Sequence, residues 1–86
     1  MAIVTLRYWA AAKEAAGTAE ETIRAKTLAD ALSVAAQRAG QDPRFRAVLA
    51  RSSFLVDGAP VGVRAPDKVL LADASVVEVL PPFAGG

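Results

Sequence analysis

The sequence closes on Pro81-Pro82-Phe83-Ala84-Gly85-Gly86. Two glycines leave a terminal carboxylate on a thread of bare backbone. Without Cβ atoms, the walls of a second protein can approach that thread closely. Six extended residues reach about 20 Å, and the proline pair stiffens the exit. A thread of this kind is expected to enter a narrow channel and present its carboxylate to a buried active site. A carboxylate is a poor electrophile. Converted by ATP to an acyl-adenylate, it becomes a good one, and a sulfur donor can then displace the adenylate to leave a thiocarboxylate. The reacting group falls on Gly86. Pro81, Pro82, Phe83, Ala84 and Gly85 become the tail in the partner's channel. Phe83 is either an anchor at the channel mouth or a side chain packed back on its own domain.

The rest of the composition excludes self-sufficient chemistry more than it offers any. The 86 residues contain no histidine and no cysteine. The usual general acid-base near neutral pH and the commonest metal ligand are therefore missing. So are redox, disulfide and zinc-thiolate motifs. No metal site is expected. The net charge is +1, and its charges are interspersed, so there is no basic tract to hold nucleic acid. Hydrophobic residues make up 53% and charged residues 22%, the balance of one compact domain. No apolar run approaches the roughly 20 residues of a membrane span. The opening "MAIVTLRYW" lacks the charged n-region and cleavable h-region of a leader, and a cytoplasmic location is expected.

The elements that must hold the tail are legible from pattern. Residues 2–9 alternate, with Val4, Leu6 and Tyr8 on one side and Ile3, Thr5, Arg7 and Trp9 on the other, which predicts a strand. "AAAKEAAG" (10–17) predicts a short helix stopped by Gly17. A weaker strand is expected over 18–25, paired from Glu21 to Ala25. The clearest helix is 27–40: Thr27 and Asp30 form a capping-box pattern, and Leu28, Ala31, Leu32, Ala35 and Ala39 share a face. Asp42 and Pro43 open one or two further helical turns, with Phe45, Val48 and Leu49 directed inward. Asp57-Gly58 marks a hairpin within 53–62, and 64–73 is a loop with a proline break. The last strand, 75–80, turns Val77 and Val79 one way and Val76, Glu78 and Leu80 the other. Pro81 and Pro82 end it because neither can donate a ladder hydrogen bond. The expected fold is α+β: a mixed sheet of four to five strands rolled around one main helix, residues 1–80, with a flexible functional tail at 81–86. In such a roll the first and last strands can lie side by side at the centre. Trp9 and Leu80 would then form an apolar outer patch beside the tail, a partner surface. In a two-sided core, Trp9 would instead be buried.

Three stretches, "RYWAAAKEAAG" (7–17), "VDGAPV" (56–61) and "VVEVLPPFAGG" (76–86), resemble the MoaD-type small subunits of molybdopterin synthase. These are sulfur carriers with a ubiquitin-like β-grasp fold in the MoaD/ThiS superfamily. The resemblance covers nearly the whole chain, and its specific part is the Pro-Pro-x-x-Gly-Gly ending. One stretch departs: "ADAS" (72–75) stands where the family often has an Asp-Gly-Asp-Glu-like turn. The resemblance implies a non-catalytic carrier that binds no cofactor of its own. An ATP-dependent adenylating enzyme of the ubiquitin-activating type would activate Gly86, and a persulfide enzyme would supply sulfur. The large synthase subunit would receive the tail and hold the catalytic side chains. There the thiocarboxylate would donate sulfur to a pyranopterin precursor in molybdenum-cofactor synthesis. It also implies that partners grip the outer sheet face at Trp9 and Leu80, with Arg7, Lys13 and Arg64 as candidate rim contacts. Three other functions remain open on the sequence: sulfur delivery for thiamine or cysteine synthesis, a protein modifier forming isopeptide bonds, and an interaction module with an inert tail.

Overall fold

The computed structural model describes residues 2–82. Strand β1 (Ala2–Tyr8) leads into helix α1 (Ala10–Ala16) and strand β2 (Glu20–Ala25). Helices α2 (Leu28–Arg38) and α3 (Pro43–Arg51) follow, then strands β3 (Ser53–Val56) and β4 (Ala59–Pro60). A 3-10 turn at Pro66–Lys68 precedes the last strand, β5 (Val76–Leu80). The five strands form one mixed sheet in the order β2-β1-β5-β3-β4. The first and last strands are neighbours at its centre and run parallel, with Leu6 opposite Val77 and Tyr8 opposite Val79. The flanking pairs β1–β2 and β3–β5 are antiparallel. This is the β-grasp arrangement.

Alternation along the strands decides which face is closed. Val4, Leu6, Tyr8, Ile23, Val77 and Val79 are each no more than 2% exposed, and they share the inner face. Leu28, Ala31 and Ala35 of α2 and Phe45 of α3 complete the core at 0% exposure. Each large apolar side chain buried this way stabilises the fold by about 1.5–3 kcal/mol before entropy is counted. The alanines on α2 keep the helix close to the sheet. Tyr8 and Phe45 meet edge-on, centroids 5.6 Å apart at 81°, a favoured aromatic geometry.

Local signals set the boundaries. Gly17 ends α1 in the left-handed region at φ 76°. The Thr27 hydroxyl accepts a hydrogen bond from the Asp30 amide at 3.1 Å and starts α2. At the hairpin, Asp57 and Gly58 both have positive φ, 50° and 83°, as a type I′ turn requires. Two expectations need correction. The segment after Asp42 is a full helix of nine residues, longer than one or two turns. Its Arg, Ala and Leu residues are good helix formers, and the Asp42 carboxylate caps it through the Arg44 amide at 2.8 Å. The first strand stops at Tyr8, so Trp9 is the N-cap of α1 rather than a strand residue.

Candidate functional site

Because β1 and β5 are parallel, both finish at the same edge of the sheet. The Trp9 amide adds one bond beyond β1, donating to the Val79 carbonyl at 3.2 Å. That bond carries the register one step further and sets Trp9 alongside Leu80. Ala10 then adopts φ 48°, a left-handed conformation that costs alanine about 1–2 kcal/mol. The chain thus turns sharply into α1 while Trp9 stays extended, at φ −119° and ψ 152°. Trp9 is 45% exposed, which overturns the two-sided core. Leu80 and Pro81 are half-buried and Pro82 is exposed. Having no N–H, the prolines end the ladder, and the chain leaves from the middle of the sheet. The remaining tail residues of the sequence reading, Phe83, Ala84, Gly85 and Gly86, lie outside the described residues.

The outer face beside this exit carries one row across all five strands, charged on β2, β1 and β5 and apolar on β3 and β4. Glu20, Arg7, Glu78, Leu55 and Pro60 stand in register from β2 to β4. The Arg7 Nε donates to Glu20 Oε2 at 3.4 Å, and the Trp9 indole donates to Glu78 Oε1 at 3.2 Å. That second bond confirms that the indole lies on the outer side. Lys13 is exposed on α1 and lines a shallow groove with Trp9, Glu14 and Thr18. Arg64 is held by its own loop, donating to the carbonyls of Val61 at 3.1 Å and Pro60 at 3.3 Å.

Sequence reasoning missed the residues that hold β5 at its other end. The Asp57 carboxylate accepts from the Val76 amide at 2.8 Å and from the Ser75 hydroxyl at 3.0 Å. That hydroxyl in turn accepts from the Ala72 amide at 3.2 Å. Asp73 accepts from the Ile3 amide at 2.8 Å and ties the start of β1 to the same turn. The divergent "ADAS" stretch is therefore a working corner, with Ala74 at φ 69°. Asp57 was legible as a turn residue, but its second role has no local signal, because its partners lie 18 and 19 residues away. On the inner face, Tyr8 donates to Glu21 Oε2 at 2.6 Å. Burial and then the Glu21 carboxylate raise the ionisation of its hydroxyl above the ordinary tyrosine value.

No helix of the described residues is long and apolar enough to cross a membrane. Comparison with known proteins agrees with the geometry. No curated protein matches the chain. Solved structures match its fold. Small archaeal modifier protein 1 from Methanosarcina acetivorans superimposes with a TM-score of 0.82 at 24% identity, covering 100% of this chain and 98% of that one. A putative molybdopterin converting factor subunit 1 from Pyrococcus furiosus gives 0.76 at 24%, covering 96% and 100%. The complex of subunits 1 and 2 of the molybdopterin-converting factor from Helicobacter pylori gives 0.69 at 19%, covering 98% and 99%. The ThiS family model matches residues 6–86. The chain therefore belongs to the ThiS family of the MoaD/ThiS superfamily, the ubiquitin-like sulfur carriers.

Proposed function

We propose that this chain is the sulfur-carrying small subunit of a molybdopterin synthase, working in the cytoplasm. The Gly86 carboxylate attacks the α-phosphate of ATP on an adenylating enzyme, and pyrophosphate leaves. A persulfide sulfur on a donor enzyme attacks the acyl-adenylate carbonyl, and AMP leaves. Cleavage of the S–S bond by a thiol then frees the thiocarboxylate. The tail from Pro81 to Gly86 enters the large subunit, which supplies the catalytic side chains. There the thiocarboxylate gives its sulfur to a pyranopterin precursor, and hydrolysis restores the carboxylate. Trp9 and Leu80 form the docking face beside the tail.

One observation carries this reading: the family match runs to Gly86 on a fold whose central strand ends beside an exposed tryptophan. The Helicobacter pylori complex supports a large-subunit partner, since its own subunit 1 is assembled with a subunit 2. Reconstitution tests it. Thiocarboxylated chain, the large subunit and the pyranopterin precursor should together yield a dithiolene. Transfer only in a thiamine- or cysteine-forming system would contradict it.

The likeness to small archaeal modifier protein 1 favours a second reading, a modifier whose Gly86 is joined to target lysines. A ladder of conjugates on immunoblots would support that reading. A single band with a thiocarboxylate mass supports the carrier.

A further inference from the structure

Glu78 is a carboxylate on the proposed docking face, with apolar neighbours along its strand and on β3 and charged ones towards β1. It occupies the central strand β5, half-buried on the outer side. Val76 and Leu80 flank it along the strand, and Leu55 stands in register on β3. Arg7 is its register neighbour on β1, yet the Arg7 Nε is engaged with Glu20 on the far side, at 3.4 Å. The ion pairs among the described residues are Arg7–Glu20, Arg38–Glu21 and Arg44–Asp42, and none includes Glu78. Its side-chain partner is the neutral indole of Trp9, at 3.2 Å.

In the free protein, water solvates the rest of this carboxylate. A partner that covers Trp9 and Leu80 strips that water away. One indole N–H fills only a fraction of the lone-pair sites on an ionised carboxylate. A charge buried without a counter-charge strongly opposes association. We infer that the surface docking on Trp9 and Leu80 brings its own basic side chain to Glu78, and that Glu78 selects partners by that charge. Arginine fits better than lysine. Its planar guanidinium can pair a carboxylate in bidentate fashion and lie on the face of the adjoining indole. The Trp9–Glu78 hydrogen bond holds ring and carboxylate together as one composite receptor. This inference rests on the docking face proposed above.

The test uses the full-length chain and, as probe, the molybdopterin-converting-factor large subunit of the same organism, with affinity measured by calorimetry. Glu78→Gln keeps an oxygen for the Trp9 indole and removes only the charge; it should weaken binding about tenfold. Glu78→Lys should weaken it about a hundredfold or more, because a like charge then faces the partner's cation. Reversing one basic residue on the partner should restore much of the Glu78→Lys loss. Circular dichroism checks that each variant is folded, and Glu78→Gln decides alone if the lysine variant is not. If Trp9→Ala weakens binding while both Glu78 variants stay within about twofold of the parent, well below the loss of a buried ion pair, the inference is overturned and the docking face stands. If Arg7→Gln reproduces the Glu78→Gln loss and no basic residue of the partner rescues Glu78→Lys, the counter-charge is Arg7 itself and the inference is also overturned. If Trp9→Ala binds as the parent does, the docking face fails and the inference falls with it.

Discussion

The two ends of the central parallel pair are built in opposite ways. Where β5 begins, Asp57, Ser75 and Asp73 fasten the backbone through a chain of short hydrogen bonds. Where β5 finishes, the Trp9 amide bonds Val79 on one side, Ser53 of β3 stands opposite Leu80 on the other, and two prolines take over. The outer side chains there are left to solvent. A strand fastened by carboxylate and hydroxyl at its start keeps its register with no side chain tied to the backbone at its exit. The exit can then leave its outer face open. The anchored end serves stability, and the open end carries the proposed docking face.

That division predicts a graded series of effects. Asp57→Ala should be the most damaging, because it strands the Val76 amide and the Ser75 hydroxyl and puts alanine at a positive φ. A loss of about 2–3 kcal/mol is expected in urea unfolding. Asp57→Asn keeps tolerance for that φ and one acceptor oxygen, and should lose about half as much. At the open end, Pro82→Ala should leave stability within about 0.5 kcal/mol of the parent. Equal losses at the two ends would break the comparison.

The inner face gives a smaller effect with a pH signature. Tyr8 is held neutral in the fold by burial and by Glu21, whereas in the unfolded chain it ionises near pH 10. Its contribution is therefore complete below about pH 10 and declines as pH rises above it, because only the unfolded chain then sheds the proton. Tyr8→Phe should cost about 1 kcal/mol at neutral pH through the lost hydrogen bond. It should also flatten the alkaline decline in thermal stability. An unchanged alkaline profile would argue that Tyr8 is not its source.

The smallest change should be a gain. Ala74 sits at φ 69° with its corner already tied on both sides. Ala74→Gly should stabilise the fold by about 0.5–1 kcal/mol, since relief of left-handed strain outweighs the added freedom of the unfolded chain. A loss would mean that the Ala74 side chain contributes packing.

Much of this was readable because local chemistry wrote it. The alternation through Val4, Leu6 and Tyr8, the Gly17 stop, the Thr27 cap and the Asp57-Gly58 turn each leave a pattern within a few residues. The pairing of β1 with β5 leaves none, because strand period says which face is buried and not which strand lies alongside. The reach of Asp57 to Val76 and of Asp73 to Ile3 was hidden for the same reason. Trp9 was placed on the correct side by alternation, although the strand ends before it. The length of α3 has a weaker local signal, because Asp42 and Pro43 mark its start while no glycine marks its end at Ser52. The tail was read from its chemistry and from resemblance.

The most direct measurement is intact mass after incubation with the adenylating enzyme, ATP and the persulfide donor. The full chain should gain the mass of one sulfur-for-oxygen exchange, and the chain lacking Gly86 should gain none while keeping the parent's unfolding curve. A full mass shift in the deleted chain would contradict the assignment of the reacting carboxylate to Gly86.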